Sequence, residues 1–168
     1  MKKSFILIIT ASVFLFMALA CSSQDTPPAK PSSPKRNTAP SFTLSGLKGN
    51  MVSLGGFSGE KGVLLDFTTT WCPACVTIIP AVKNIYRNYD NNGLKVLAVY
   101  INEPKERVEA FVKKHNIPYT VLLDTDGAIA NKYSIRGVPT VVVVDKQGLV
   151  RYKGHGIPEE IIEQVAGE

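Results

Sequence analysis

Apolar and polar positions divide the chain into three textures. Residues 5–20 are apolar except for Thr10 and Ser12, and Lys2 and Lys3 precede them. Residues 22–40 hold Pro27, Pro28, Pro31, Pro34 and Pro40 among Ser, Lys, Asn and Ala, with no large apolar residue. From Ser41 onward, apolar residues recur in short runs between turn signals. Phe42, Leu44, Met51, Val52 and Leu54 flank Gly49-Asn50 and predict a β-hairpin. Residues 63–67 read as a buried strand. Residues 73–89 read as a helix stopped at Gly93. Residues 94–101 form a second buried strand. Pro104 opens a helix with Val108, Phe111 and Val112 on its apolar face. A short strand at 121–123 precedes the Asp126-Gly127 turn, and a short helix spans 129–133. The β-branched run 140–145 is a strand, and a turn at 146–148 leads into a further strand at 150–152. A helix over 158–165 closes the chain. This alternation predicts an α/β domain whose central mixed sheet is flanked by helices.

The N-terminal texture has the layout of an export signal: a basic start, an apolar stretch, then small residues at Ala18 and Ala20. The stretch is short for a membrane span, which needs about 20 apolar residues. The basic start places the rest of the chain outside the cytoplasm. Ala18-Leu19-Ala20-Cys21 resembles a bacterial lipobox, with its leucine one place late. We therefore expect a signal peptide over 1–20, lipidation of Cys21, a disordered tether over 21–40 and a folded domain over 41–168. Location would be extracytoplasmic, with a lipid anchor in the membrane. An uncleaved anchor and an ordinary signal peptide are the alternatives. The proline-rich stretch cannot bury enough apolar surface to offset its ordering entropy.

Composition narrows the function. Hydrophobic residues at 45% and charged residues at 20% exclude a disordered or fibrous chain. The net charge is +5, and loss of Lys2 and Lys3 leaves 17 basic against 14 acidic residues, or +3. The bases are scattered, and no basic stripe with interleaved aromatics supports nucleic-acid binding. There are three cysteines, Cys21, Cys72 and Cys75. An odd count in an exported chain is explained if Cys21 carries lipid and the others form a redox pair.

Trp71-Cys72-Pro73-Ala74-Cys75 falls at a predicted strand-to-helix junction. Free N–H groups and the dipole at a helix start stabilise an anion, so a cysteine there favours the reactive thiolate. Cys72 at the mouth is the expected nucleophile. Cys75, one turn in, is placed to attack a mixed disulfide on Cys72. Pro73 is tolerated in the first turn and fixes local geometry. A zinc half-site would need two further ligands, and His115 and His155 are isolated; a structural disulfide is the other alternative. No metal or other cofactor is expected.

Further positions resemble the thioredoxin superfamily. Asp66 lies six residues before Cys72, Pro80 lies five after Cys75, and Gly137-Val138-Pro139-Thr140 resembles the loop whose cis-proline faces the cysteines. From about Ala39 to Val165 the chain is similar to the membrane-anchored TlpA/ResA type. That resemblance implies a thioredoxin-like fold with an N-terminal β-hairpin and an inserted helix and strand between Glu103 and Asp124. It implies an extracytoplasmic thiol–disulfide oxidoreductase, leaning towards a disulfide reductase of protein substrates, recharged by a membrane electron-donor protein. Asp66 would take the Cys75 proton. The Val138 backbone would pair with the substrate, Pro139 would be cis, and Trp71 would pack beside the dithiol and restrict water. Two departures are Asp66, where many members have asparagine, and Ile78, where some haem-pathway members have glutamate. A disulfide oxidase or isomerase shares this chemistry. A peroxiredoxin-like peroxidase would use Thr69 with Cys72 but lacks a proline at Leu65, and a copper chaperone would need a longer cysteine spacing. His155 is expected in a surface turn, His115 at a helix end, Phe57 and Tyr100 in the core, and the protein as a monomer.

Overall fold

The computed structural model describes residues 37–168. In chain order, the strands are β1 (Thr43–Gly46), β2 (Met51–Ser53), β3 (Gly62–Thr68), β4 (Leu94–Ile101), β5 (Thr120–Asp124), β6 (Thr140–Val144) and β7 (Val150–Gly154). The helices are α1 (Pro73–Tyr89), α2 (Lys105–Lys114), α3 (Ala128–Lys132) and α4 (Glu159–Gly167). One sheet of seven strands runs in the order β2-β1-β5-β4-β3-β6-β7. Strands β3, β4 and β5 are parallel, and the outer pairs on both sides are antiparallel. This is the mixed sheet flanked by helices that the pattern predicts.

Side chains alternate across a strand, so every central strand feeds two cores. Leu64, Val96, Ala98, Tyr100, Val121, Val141 and Val143 pack on one face with Val82 and Ile85 of α1, Val108 of α2, and Ile162 and Val165 of α4. Val63, Leu65, Phe67, Leu97, Val99, Leu122, Val142 and Val144 pack on the other with Ile129 and Ala130 of α3 and with Tyr133. Strands buried on both faces explain the continuous apolar runs at β3 and β6. Tyr100 belongs to this core, whereas Phe57 is only partly buried.

Three features differ from expectation or refine it. Residues 54–57 form a short 3-10 helix after β2 rather than a continued hairpin arm. Residues 37–40, assigned to the tether, are tied to the domain. Val150 N donates to Asn37 O at 2.7 Å, Ala39 N donates to Gly148 O at 2.9 Å, and Tyr133 Oη donates to Pro40 O at 2.8 Å. Backbone pairing along the β7 edge holds this stretch without large apolar side chains. The export signal, Cys21 and the rest of the tether lie outside the described residues. Among the described residues no helix is long and apolar enough to cross a membrane. Gly93 does stop the chain after α1: its φ is +84°, and a Cβ there would collide with the Ala166 carbonyl.

Asp124 at the end of β5 is fully buried and organises the start of α3. Its carboxylate accepts from Ile129 N at 3.1 Å and Ala130 N at 2.8 Å, which satisfies two free donors of that helix. Asp124→Ala leaves both donors buried without partners. We expect a loss of about 2–3 kcal/mol in unfolding free energy, read by urea denaturation. A loss too small to resolve in that measurement would show that α3 does not depend on this cap.

Candidate redox site

Strand β3 ends at Thr68, and β6 begins at Thr140. Their antiparallel register pairs Phe67 with Thr140 and Asp66 with Val141. The loop after β3 and the loop before β6 therefore leave the sheet at the same end, where Cys72 meets Pro139. The Val138–Pro139 bond is cis, as the resemblance implies. Cys72 is the N-cap of α1, with Pro73 in its first turn. Cys75 N donates to Cys72 Sγ at 3.1 Å. Cys72 and Cys75 are joined by a disulfide with 5.3 Å between their Cα atoms. Cys72 Sγ lies 3.6 Å from the Val138 carbonyl oxygen. Cys72 is 5% exposed and Cys75 is 2% exposed. A helix start that already donates to sulfur is suited to hold a thiolate at Cys72 once the disulfide is reduced.

Asp66 shares the α1-facing side of β3 with Leu64. It is buried, and its Oδ1 has no hydrogen-bond partner among the described residues. Burial raises its pKa to about 7, well above the ordinary carboxylate value. Burial also pushes the phenols of Tyr100 and Tyr119 up, and the Asp66 charge pushes both further, so they stay neutral.

Trp71, expected to pack beside the dithiol and restrict water, lies at the surface. It is 68% exposed. The loop after β3 carries it outward along a groove of about 290 Å³, shared with Ile101, Ala130, Ile135, Arg136 and Val138. Pro80 lies inside α1, which continues through it. His115 caps the end of α2, as expected. Among the described residues no cluster of three or more His, Cys, Asp or Glu is placed to hold a metal ion.

Two residues at this end escaped the sequence. Glu103, 3% exposed, accepts from Thr70 N at 2.8 Å and Thr70 Oγ1 at 2.5 Å, and so ties down the loop that delivers Cys72. His155 Nδ1 lies 2.7 Å from the Pro139 carbonyl oxygen. Glu103 lies just past the C-terminal end of β4, and residues beyond parallel-strand C-termini meet at one crevice, which is the signal that could have found it. His155 gives only a weak cue, a side chain between two glycines at a strand end.

The model of the AhpC/TSA family matches residues 36–153. The thiol–disulfide oxidoreductase ResA of Geobacillus kaustophilus is 36% identical over 68% of this chain and 66% of its own. The ResA of Bacillus thuringiensis subspecies konkukian is 33% identical over 74% of this chain and 73% of its own. The chain thus spans about two thirds of the length of these relatives. Among solved structures, the thioredoxin domain of a thiol–disulfide oxidoreductase from Bacteroides vulgatus is similar, with a TM-score of 0.70 and 26% identity over 79% of this chain and 99% of its own.

The burial of Asp66 has a consequence for stability. Its carboxyl titrates at about 7 when folded and at about 4 when unfolded. Its contribution to stability is therefore full below about pH 4 and is lost as the pH rises through about 7. A rise from about 4 to about 7 corresponds to about 4 kcal/mol. Denaturation of the oxidised wild type across this range should show the loss, and Asp66→Asn should lack it and be the more stable at pH 8. Parallel profiles for the two would mean that Asp66 is not buried as an acid.

Proposed function

The chain belongs to the AhpC/TSA family, and we propose that it is an extracytoplasmic thiol–disulfide oxidoreductase that reduces disulfides in protein substrates. One observation carries this reading: Cys72 Sγ sits at the start of α1, accepts the Cys75 N–H, and faces the Val138 carbonyl beside cis-Pro139. The names of the ResA relatives and of the Bacteroides vulgatus domain support the reaction class.

In the reducing direction the Cys72 thiolate attacks a substrate disulfide. A bond forms between Cys72 Sγ and one substrate sulfur, and the other substrate sulfur leaves and takes up a proton. Cys75 then gives its proton to the Asp66 carboxylate, through water, and attacks Cys72 Sγ. The mixed disulfide breaks, and the second substrate sulfur departs as a thiolate and takes up a proton, either from the Asp66 carboxyl or from water. The substrate has gained two electrons and two protons, and Cys72 and Cys75 are left as the disulfide. A carboxyl with a pKa of about 7 exchanges protons readily at neutral pH, which suits it to this step. Trp71 and the groove beside it receive substrate side chains next to the attacked disulfide, and the Val138 backbone pairs with the extended substrate chain. Pro73 sets the geometry of the first turn.

The export signal over 1–20 would carry the domain across a membrane before its removal, and a lipid on Cys21 would then hold the domain on the outer side. A reductase there needs electrons delivered across that membrane, so its donor is an integral-membrane dithiol carrier. Disulfide oxidation or isomerisation would use the same atoms at a higher potential.

The reduction potential of the Cys72–Cys75 couple, equilibrated against dithiothreitol or glutathione, decides between these directions. A value towards the thioredoxin end, about −270 mV, is expected. A value towards about −120 mV would make the protein an oxidant and overturn the reductase reading. In Asp66→Asn, alkylation of Cys72 should be unchanged while decay of a trapped mixed disulfide slows by about a hundredfold. Equal decay rates would remove Asp66 from the mechanism.

A further inference from the structure

The loop before β6 sits beyond the last ladder pair between β6 and β7, which joins Val141 to Gly154. The ladder cannot continue through Pro139, which has no N–H. Side chains take over at this point. The Thr140 hydroxyl donates to the Gly137 carbonyl at 2.6 Å. His155, one residue past the end of β7, brings its Nδ1 to 2.7 Å from the Pro139 carbonyl. A carbonyl oxygen only accepts, so this contact requires the proton on Nδ1. Both the neutral Nδ1–H form and the imidazolium can donate it. The ring also lies against the other end of the loop, since a Cβ on Gly137 would be 3.8 Å from His155 Cε1.

Two of the three carbonyls from Gly137 to Pro139 are therefore bound by side chains. The third, on Val138, faces Cys72 Sγ. We propose that His155 is a positioning residue for substrate engagement. Its imidazole fixes the cis-proline loop from outside, so that the Val138 backbone is presented in one conformation to an extended polypeptide crossing Cys72. Neither cysteine touches the imidazole in this role. The surface turn expected from the sequence is where His155 sits, and the loop contact is what the sequence did not disclose.

This inference rests on the thiol–disulfide reading and deepens it. It separates two kinds of substrate. A polypeptide disulfide needs the Val138 backbone, whereas dithionitrobenzoate carries a disulfide and no peptide chain. With the reduced full-length protein, His155→Ala should lower kcat/KM for insulin disulfides by about three- to tenfold, the loss expected for one hydrogen bond, and should do so through KM. Its rate with dithionitrobenzoate and its reduction potential should match the wild type. His155→Asn, whose Nδ2 takes the place of the imidazole Nδ1, should recover most of the insulin activity. Nitrogen-resolved NMR of the wild type at pH 8 should show the Nδ1–H tautomer.

An Nε2–H tautomer would overturn the contact. Wild-type insulin kinetics in His155→Ala, or an equal loss on both substrates, would overturn the role. Either result with an active wild type leaves the thiol–disulfide reading standing. A wild type inactive on both substrates would overturn both.

Discussion

Antiparallel pairing of β6 against β3 is the contact on which the site depends. Each strand adjoins a different functional loop, one leading to Cys72 and the other coming from Pro139. Only an antiparallel register, with Phe67 opposite Thr140, brings both loops out at one end of the sheet. That register is stable because both strands are buried on both faces. A slip by one residue would exchange the two side-chain sets of β6 between the cores. It would also move Val138 away from Cys72 Sγ, which it now approaches to 3.6 Å. The same residues that fill the cores thus fix the chemistry a few residues beyond them.

Within that frame, Asp66 is a polar group the core would not otherwise keep. It sits opposite Ala98 and Val141, among apolar strand residues, with one carboxyl oxygen unpartnered among the described residues. An unpaired buried carboxylate is costly, and the group responds by raising its pKa to about 7 instead of ionising. Its position two residues before the end of β3 places a carboxyl that titrates close to neutrality towards the end of the sheet that carries the dithiol. Glu103 shows the contrasting solution. Its carboxylate is equally buried, but Thr70 supplies hydrogen bonds to both oxygens, so it acts as a fixed brace. Two buried acids near one end of the sheet differ in state because one has donors and the other does not.

The sheet and its helices were legible because they follow from periodicity. Apart from Asp66, Lys95 and Thr140, the strands at 63–67, 94–101 and 140–144 are apolar without alternation, as doubly covered strands are. The α1 helix announces itself by the cysteine-proline start and by Gly93, whose positive φ lets the chain turn against the Ala166 carbonyl. Cys72, Cys75 and cis-Pro139 followed from motif and resemblance. The hidden part depends on loops meeting across the fold. Glu103 and Thr70 are 33 positions apart, and His155 and Pro139 are 16 apart. No local pattern encodes either pair. Trp71 is a different case: its type suggests packing, whereas its loop turns it outward to 68% exposure.

The place where the chain joins the domain bears on how the site meets its substrates. Asn37 and Ala39 pair with Val150 and Gly148 at the start of β7. Because β7 runs antiparallel to β6, its start lies at the end of the sheet away from Thr140, and its finish at Gly154 lies beside the cis-proline loop. The chain therefore joins the domain at the pole opposite Cys72. Residues 37–40 are fastened there by backbone hydrogen bonds rather than by apolar burial alone. At the Cys72 pole Trp71 is exposed, and the Val138 carbonyl lies 3.6 Å from the sulfur. Cys75 is the more deeply buried of the pair, so a group approaching the disulfide from solvent meets Cys72 first.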